Sequence, residues 1–162
     1  MTRPELLAIV IVIMLALLAL MAVGWRARRR HQSSIPRPAA VPGEVGAPIG
    51  VFAGKYVATT AAGDPLERIA VHGLGFRGNT SVTVAERGVL VHIDGTDDKW
   101  IPAADLRARR KATWTIDRAV ERDGLELLEW TLGDKPVDSY FRFDDWRDFE
   151  SAVDKLLERK AA

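Results

Sequence analysis

The chain opens with an unbroken apolar run, Leu6 to Val23, and its pattern of apolar and polar positions changes twice afterwards. At 1.5 Å per residue, a helix of about eighteen residues is ~27 Å long, close to the ~30 Å hydrocarbon core of a bilayer. The run therefore predicts one membrane-spanning helix. It is followed by Gly24, Trp25 and then Arg26, Arg28, Arg29 and Arg30, whereas only Arg3 precedes it. Because an excess of Lys and Arg marks the cytoplasmic flank, the N-terminus is expected outside and everything from Arg26 onward in the cytoplasm. A secretory signal would place its positive charge ahead of an apolar stretch of about 7–15 residues, the reverse of the order here.

From Gln32 to Gly50 the sequence QSSIPRPAAVPGEVGAPIG holds four of the chain's eight prolines and few long apolar residues. Such a stretch buries too little surface to offset its ordering entropy, so it reads as an extended linker. Short apolar and β-branched runs bounded by glycine, aspartate and asparagine then predict a mainly antiparallel β domain. Strands are expected over 54–60, 67–72, 81–85, 88–93, 99–102, part of 112–117, 125–132 and 137–143. Hairpins are expected at Glu86-Arg87-Gly88 and at Gly133 to Pro136. The period then lengthens to 3.6: Trp146, Phe149, Val153 and Leu156, with Leu157 alongside, form one apolar stripe between charged positions. Asp144 or Asp145 suits the N-cap, and Arg159 and Lys160 suit the negative end of the helix dipole. Three parts result: an anchor (1–25), a basic juxtamembrane stretch with a Pro-rich linker (26–50), and a β domain with one C-terminal amphipathic helix (51–162).

Composition adds boundaries. Cysteine is absent, which excludes disulfides, thiolate metal sites and cysteine nucleophiles. A net charge of +1 argues against wholesale nucleic-acid binding.

The strings VTVAERGVLVHID and KWIPAADLRAR, from Val82 and Lys99 respectively, resemble the strand–turn–strand and I-P-x-x-D-L passages of bacterial pleckstrin-homology-like (PH-like) domains. That resemblance covers about residues 51–160. It implies about seven antiparallel strands in a partly open barrel with one C-terminal helix and an inward tryptophan. With its anchor, the whole chain resembles small actinobacterial single-pass proteins that carry a PH-like domain.

Catalytic and cofactor motifs are thin. Gly73 to Gly78 matches G-x-G-x-x-G, but a dinucleotide fingerprint needs a helix to open there, and Asn79 to Val84 is a β-branched run. Gly54-Lys55 lacks the rest of a phosphate loop. His31, His72 and His92 show no metal spacing, and Asp94, Asp97 and Asp98 lack the ligand pattern of an EF-hand. With no G-x-S-x-G elbow either, neither an enzyme nor a cofactor or metal site is expected. Eukaryotic PH lipid sites carry basic residues in the first strand–loop–strand; here that region offers Lys55 and Arg68, which does not point to headgroup-specific binding.

Candidate contact residues are Arg26, Arg28, Arg29 and Arg30 beside the membrane, the cluster Arg107, Arg109, Arg110 and Lys111, and Trp100 next to the acidic loop. Four basic side chains near an anionic leaflet would contribute ~1 kcal/mol each, giving weak lipid contact. The bland alternative is an edge strand whose basic residues deter sheet-to-sheet aggregation. The expected role is a membrane-anchored cytoplasmic binding or scaffolding module for a protein or the membrane surface. An accessory subunit of a transport or export system is the alternative, followed by a small-ligand or enzymatic barrel.

Overall fold

The computed structural model describes residues 3–112, 114–115, 118–119 and 124–161, in two compact units that meet between Ser34 and Ile35. The first unit is helix α1, Arg3–His31, which continues through the arginines. Within its segment Arg3–Ala27 the most apolar 18-residue stretch has a mean hydropathy of 3.3, and none of that stretch is buried within the protein. By length and composition this helix is long and apolar enough to cross a membrane.

The second unit is an antiparallel sheet with one helix. Its strands are β1 (Pro48–Ala61), β2 (Asp64–Arg68), β3 (Gly78–Ala85), β4 (Gly88–Ile93), β5 (Lys99–Pro102) and β6 (Leu106–Ala112), then the short β7 (Trp114–Thr115) and β8 (Arg118–Ala119), then β9 (Leu125–Leu132) and β10 (Lys135–Phe143); helix α2 (Trp146–Ala161) ends the chain. Eight strands form one open sheet in the order β5-β4-β3-β1-β10-β9-β6, with β2 also on β1; β7 and β8 pair only with each other.

Strand β1 joins the two halves. Its first part pairs with β3, its last part with β10, and the register shifts between Tyr56 and Ala58 where the strand bends. Sequence alternation locates β3, β4, β5, β9 and β10 well. The turn Glu86-Arg87 closes the first hairpin in register Ala85↔Gly88. Gly88 is required there: it has φ +156, and a Cβ would lie 2.3 Å from the Ile101 carbonyl oxygen.

Four expectations change. β1 begins at Pro48, inside the stretch read as linker, because residues 48–53 pair with β3 despite their proline and glycine. The expected strand 67–72 is displaced to Asp64–Arg68; Ile69, Val71 and Leu74 instead drop into the core as a buried loop. β6 occupies the basic run that was expected only to flank a strand at 112–117; of that stretch Trp114–Thr115 forms β7, while residues 113, 116 and 117 lie outside the described residues. Finally, residues 35–47 lie along the domain. Ile35 is buried, Ala39 bridges to Trp100, and the Glu86 and Arg87 amides donate to the carbonyls of Ala47 and Val45. Backbone hydrogen bonds to strand neighbours hold this proline-rich segment where side-chain burial alone would not.

α2 lays Phe149, Ala152, Val153 and Leu156 on the sheet. Phe149 is fully buried, its ring centroid 4.4 Å from Phe143 and 5.4 Å from Phe52. Trp146, the expected inward tryptophan, is only partly buried. Trp130 on β9 is buried more completely, and its Nε1–H donates to Ser139 Oγ at 2.9 Å. Ser139 joins Thr59 Oγ1 at 2.6 Å, and Thr59 joins the Tyr56 hydroxyl at 2.6 Å, which donates to the Leu74 carbonyl. Burial pushes the Tyr56 phenol far above its ordinary value, so this network fixes the buried loop to the sheet with neutral groups.

Candidate functional site

The basic cluster is resolved by strand alternation. Successive β6 side chains point to opposite faces, so Arg109 and Lys111 turn toward α2 while Arg110 turns away. Arg109 forms a two-pronged contact with Asp154, Nε to Oδ1 at 3.1 Å and Nη2 to Oδ2 at 3.0 Å, and its Nη1 lies 2.5 Å from Glu150 Oε1. Nη1 is also 3.7 Å from Glu126 Oε2, a carboxylate that β9 holds almost wholly buried. Lys111 Nζ lies 3.5 Å from Glu150 and 3.5 Å from the Trp146 ring centroid, a cation–π contact. On the other face Arg110 Nε meets Glu129 at 2.5 Å. Three of the four cations are therefore matched to carboxylates within the domain, and Arg107 alone of the four has no ion pair among the described residues.

The arrangement has a weak point at Glu126. Burial, with Glu150 adding to it, raises its carboxyl to about 7, against the opposing pull of Arg109 and Lys111. Oε2 has no hydrogen-bond partner among the described residues. Hydrogen bonding to Asp154, first, and the neighbouring carboxylates hold Arg109 above its ordinary value. The site therefore works as an internal latch between β6, β9 and α2. Arg109 and Lys111 stood out in the sequence as basic residues, but Glu126 and the α2 carboxylates that meet them did not; the signal for Glu126 was one acid in the otherwise apolar run Leu125 to Leu128.

Trp100, expected as a surface contact, is 4% exposed and so presents no face to a partner. It packs under the Ala39 bridge and over Gly88, where only a glycine permits that approach. Arg26, Arg28, Arg29 and Arg30 all fall in the last turns of α1, apart from the β6 cluster in sequence and in unit.

A second region was missed by sequence. The loops before β3 and before β5 enclose an open cleft of about 490 Å³ lined by His72, Gly73, Phe76, Gly95, Thr96, Asp97 and Lys99. The glycine-rich run runs straight into β3 at Gly78, with no helix, so it shapes this cleft and does not form a dinucleotide fold. His72 and Gly73 both adopt positive φ, and the His72 ring is 2.8 Å from the Ile35 carbonyl. His92 pairs with Asp98 at 2.6 Å on the neighbouring surface. Among the described residues, no group of three or more His, Cys, Asp or Glu side chains is disposed to hold a metal.

An open antiparallel sheet that folds about one long bent strand, with a C-terminal helix across it, defines a PH-like domain. The chain belongs to the bacterial PH domain-like family, whose model matches residues 34–157. That match begins one residue before the second unit, which starts at Ile35. No curated protein matches the chain. Among solved structures it is similar to a chain described as Vav1 inhibited by an allosteric inhibitor, at 8% identity and a TM-score of 0.44, covering 85% of this chain and 34% of that one.

Proposed function

We propose that the chain is a single-pass membrane protein of the kind its sequence resemblance places in actinobacteria, with the N-terminus outside and a non-enzymatic PH-like domain in the cytoplasm that docks another protein. The observation that carries the anchor is the all-round apolar, wholly unburied helix with arginines at its C-terminal end. A protein partner is favoured over the membrane surface because Arg109, Arg110 and Lys111 are already matched to Glu150, Asp154, Glu126 and Glu129. An ion pair must be broken before such a side chain can meet a phosphate, which removes most of the ~1 kcal/mol each would contribute.

The anchor reading is tested by alkaline carbonate extraction of membranes, followed by intact-mass measurement. The full-length chain is expected in the membrane pellet with its N-terminal helix retained. Release into the supernatant, or a mature mass lacking the apolar run, would make that run a processed signal.

A further inference from the structure

The latch between β6, β9 and α2 gathers the carboxyl groups of Glu126, Glu150 and Asp154 around the cations of Arg109 and Lys111. With every one of these groups ionised, the junction would carry an uncompensated negative charge. The α2 carboxylates take the cations first. Asp154 occupies Nε and Nη2 of Arg109, Glu150 occupies Nη1, and Lys111 Nζ is shared between Glu150 and the Trp146 ring. Glu126 is left 3.7 Å from the same guanidinium, its Oε2 buried and without a hydrogen bond among the described residues. Its strand neighbours are Lys111 on β6 and Phe141 on β10, so β10 sets a ring and no charge beside it. Glu126 is 2% exposed, whereas the Asp154 side chain is 49% exposed, so the surplus negative charge is least tolerable on Glu126. Burial, with Glu150 adding to it, raises the Glu126 carboxyl to about 7, in keeping with that charge balance.

We infer that α2 is seated by a proton: Glu126 carries it while α2 lies closed on β9, and its loss lets the N-terminal half of α2, with Glu150 and Asp154, lift from the sheet. An ionised Glu126 would face Glu150 from a buried position, and separating α2 from β9 relieves both the repulsion and the desolvation. The other end of α2 is held apart from this junction. Arg159 pairs with Glu86 at 2.9 Å, and Lys160 donates to the carbonyls of Ala104 and Leu106. The opening therefore belongs to the end near Trp146. Its direction follows from linkage: a carboxyl raised in the closed form holds the seat fully at low pH and releases it as pH rises through about 7. The opposite outcome, in which an ionised Glu126 tightens on Arg109, would firm the seat as pH rises. The inference adds a conformational control to the domain and is independent of what the domain docks.

The test is amide hydrogen exchange of the full chain in detergent micelles across neutral pH, read by mass spectrometry and corrected for the intrinsic pH dependence of exchange. It is joined by a ¹³C titration of the Glu126 carboxyl carbon, assigned by its absence from Glu126→Gln. Opening of α2 over 149–155 is expected to become about tenfold more frequent between about pH 6 and pH 8 and then to level off, as the release of one proton near 7 requires. Exchange there should be faster than in β4, which takes no part in the latch. The carboxyl carbon should titrate with its midpoint near 7. Glu126→Gln should keep α2 as protected at high pH as the wild type is at low pH. Protection of α2 that is unchanged by pH, or that rises with it, would overturn the inference. So would a Glu126→Gln variant that keeps the wild-type pH dependence, an α2 that exchanges only as slowly as β4, or a Glu126 carboxyl that titrates near its ordinary 4.5. If Glu126→Gln does not fold, the exchange profile of the wild type and its carboxyl titration, assigned through Glu126→Asp, decide.

Discussion

Phe149→Ala is expected to destabilise the domain by about 3–5 kcal/mol, the usual cost of emptying a large aromatic site in a core. Phe149 is fully buried where α2 meets both halves of the sheet, packed on Phe52 and Phe143 and within 6.3 Å of Phe141. Beside it Phe141 and Phe143 are stacked on each other at 5.7 Å. A domain of this size has only about 5–15 kcal/mol to lose, so thermal unfolding of the full chain should begin many degrees earlier. Trp146→Ala is the control: it removes a half-buried ring and the Lys111 contact, and should cost clearly less. Equal melting temperatures for the two variants would mean that α2 is not seated through Phe149.

Arg109→Met is expected to cost about 3 kcal/mol at neutral pH, because it takes from Glu126, Glu150 and Asp154 the guanidinium they share and leaves Lys111 paired with Glu150. The companion change, Glu126→Gln, should act in the opposite direction, by an amount that depends on pH. The folded state raises the Glu126 carboxyl to about 7, above its ordinary value near 4.5. Folding therefore favours the protonated form, and the stability this contributes is complete below about pH 4.5 and lost as pH rises through 7. Glu126→Gln keeps the neutral shape, so it should melt higher than the wild type at pH 8 and about level with it at pH 5. In the double variant part of the Arg109→Met loss should be recovered, since the least solvated of the three carboxylates is gone. Melts in which Glu126→Gln lowers stability at pH 8 would show that Glu126 is ionised and paired in the folded state.

Where two-residue alternation faces a core, the sequence is easy to read: Val89, Val91 and Ile93, or Val137, Ser139, Phe141 and Phe143, each lie on one side as their spacing requires. The 3.6-residue stripe likewise places Phe149, Val153 and Leu156 on the sheet. β6 was hidden because Arg107, Arg109, Arg110 and Lys111 have no apolar alternation, and what decides their faces is carboxylates brought from β9 and α2. The segment 35–47 was hidden for a related reason: its hold on the domain is through backbone hydrogen bonds and single side chains such as Ile35, which composition does not record. Glu126 is an ordinary charged residue in the sequence. Burial, a property of the assembled sheet, is what gives it a role.

The proposed cytoplasmic, membrane-anchored placement of the domain is tested most directly by fusing alkaline phosphatase, active only outside the cytoplasm, after Ala162, in parallel with a fluorescent protein at the same position. The arginines that follow the apolar run predict an inactive phosphatase and fluorescence along the cell rim. Strong phosphatase activity with no rim fluorescence would place the domain outside and contradict the account.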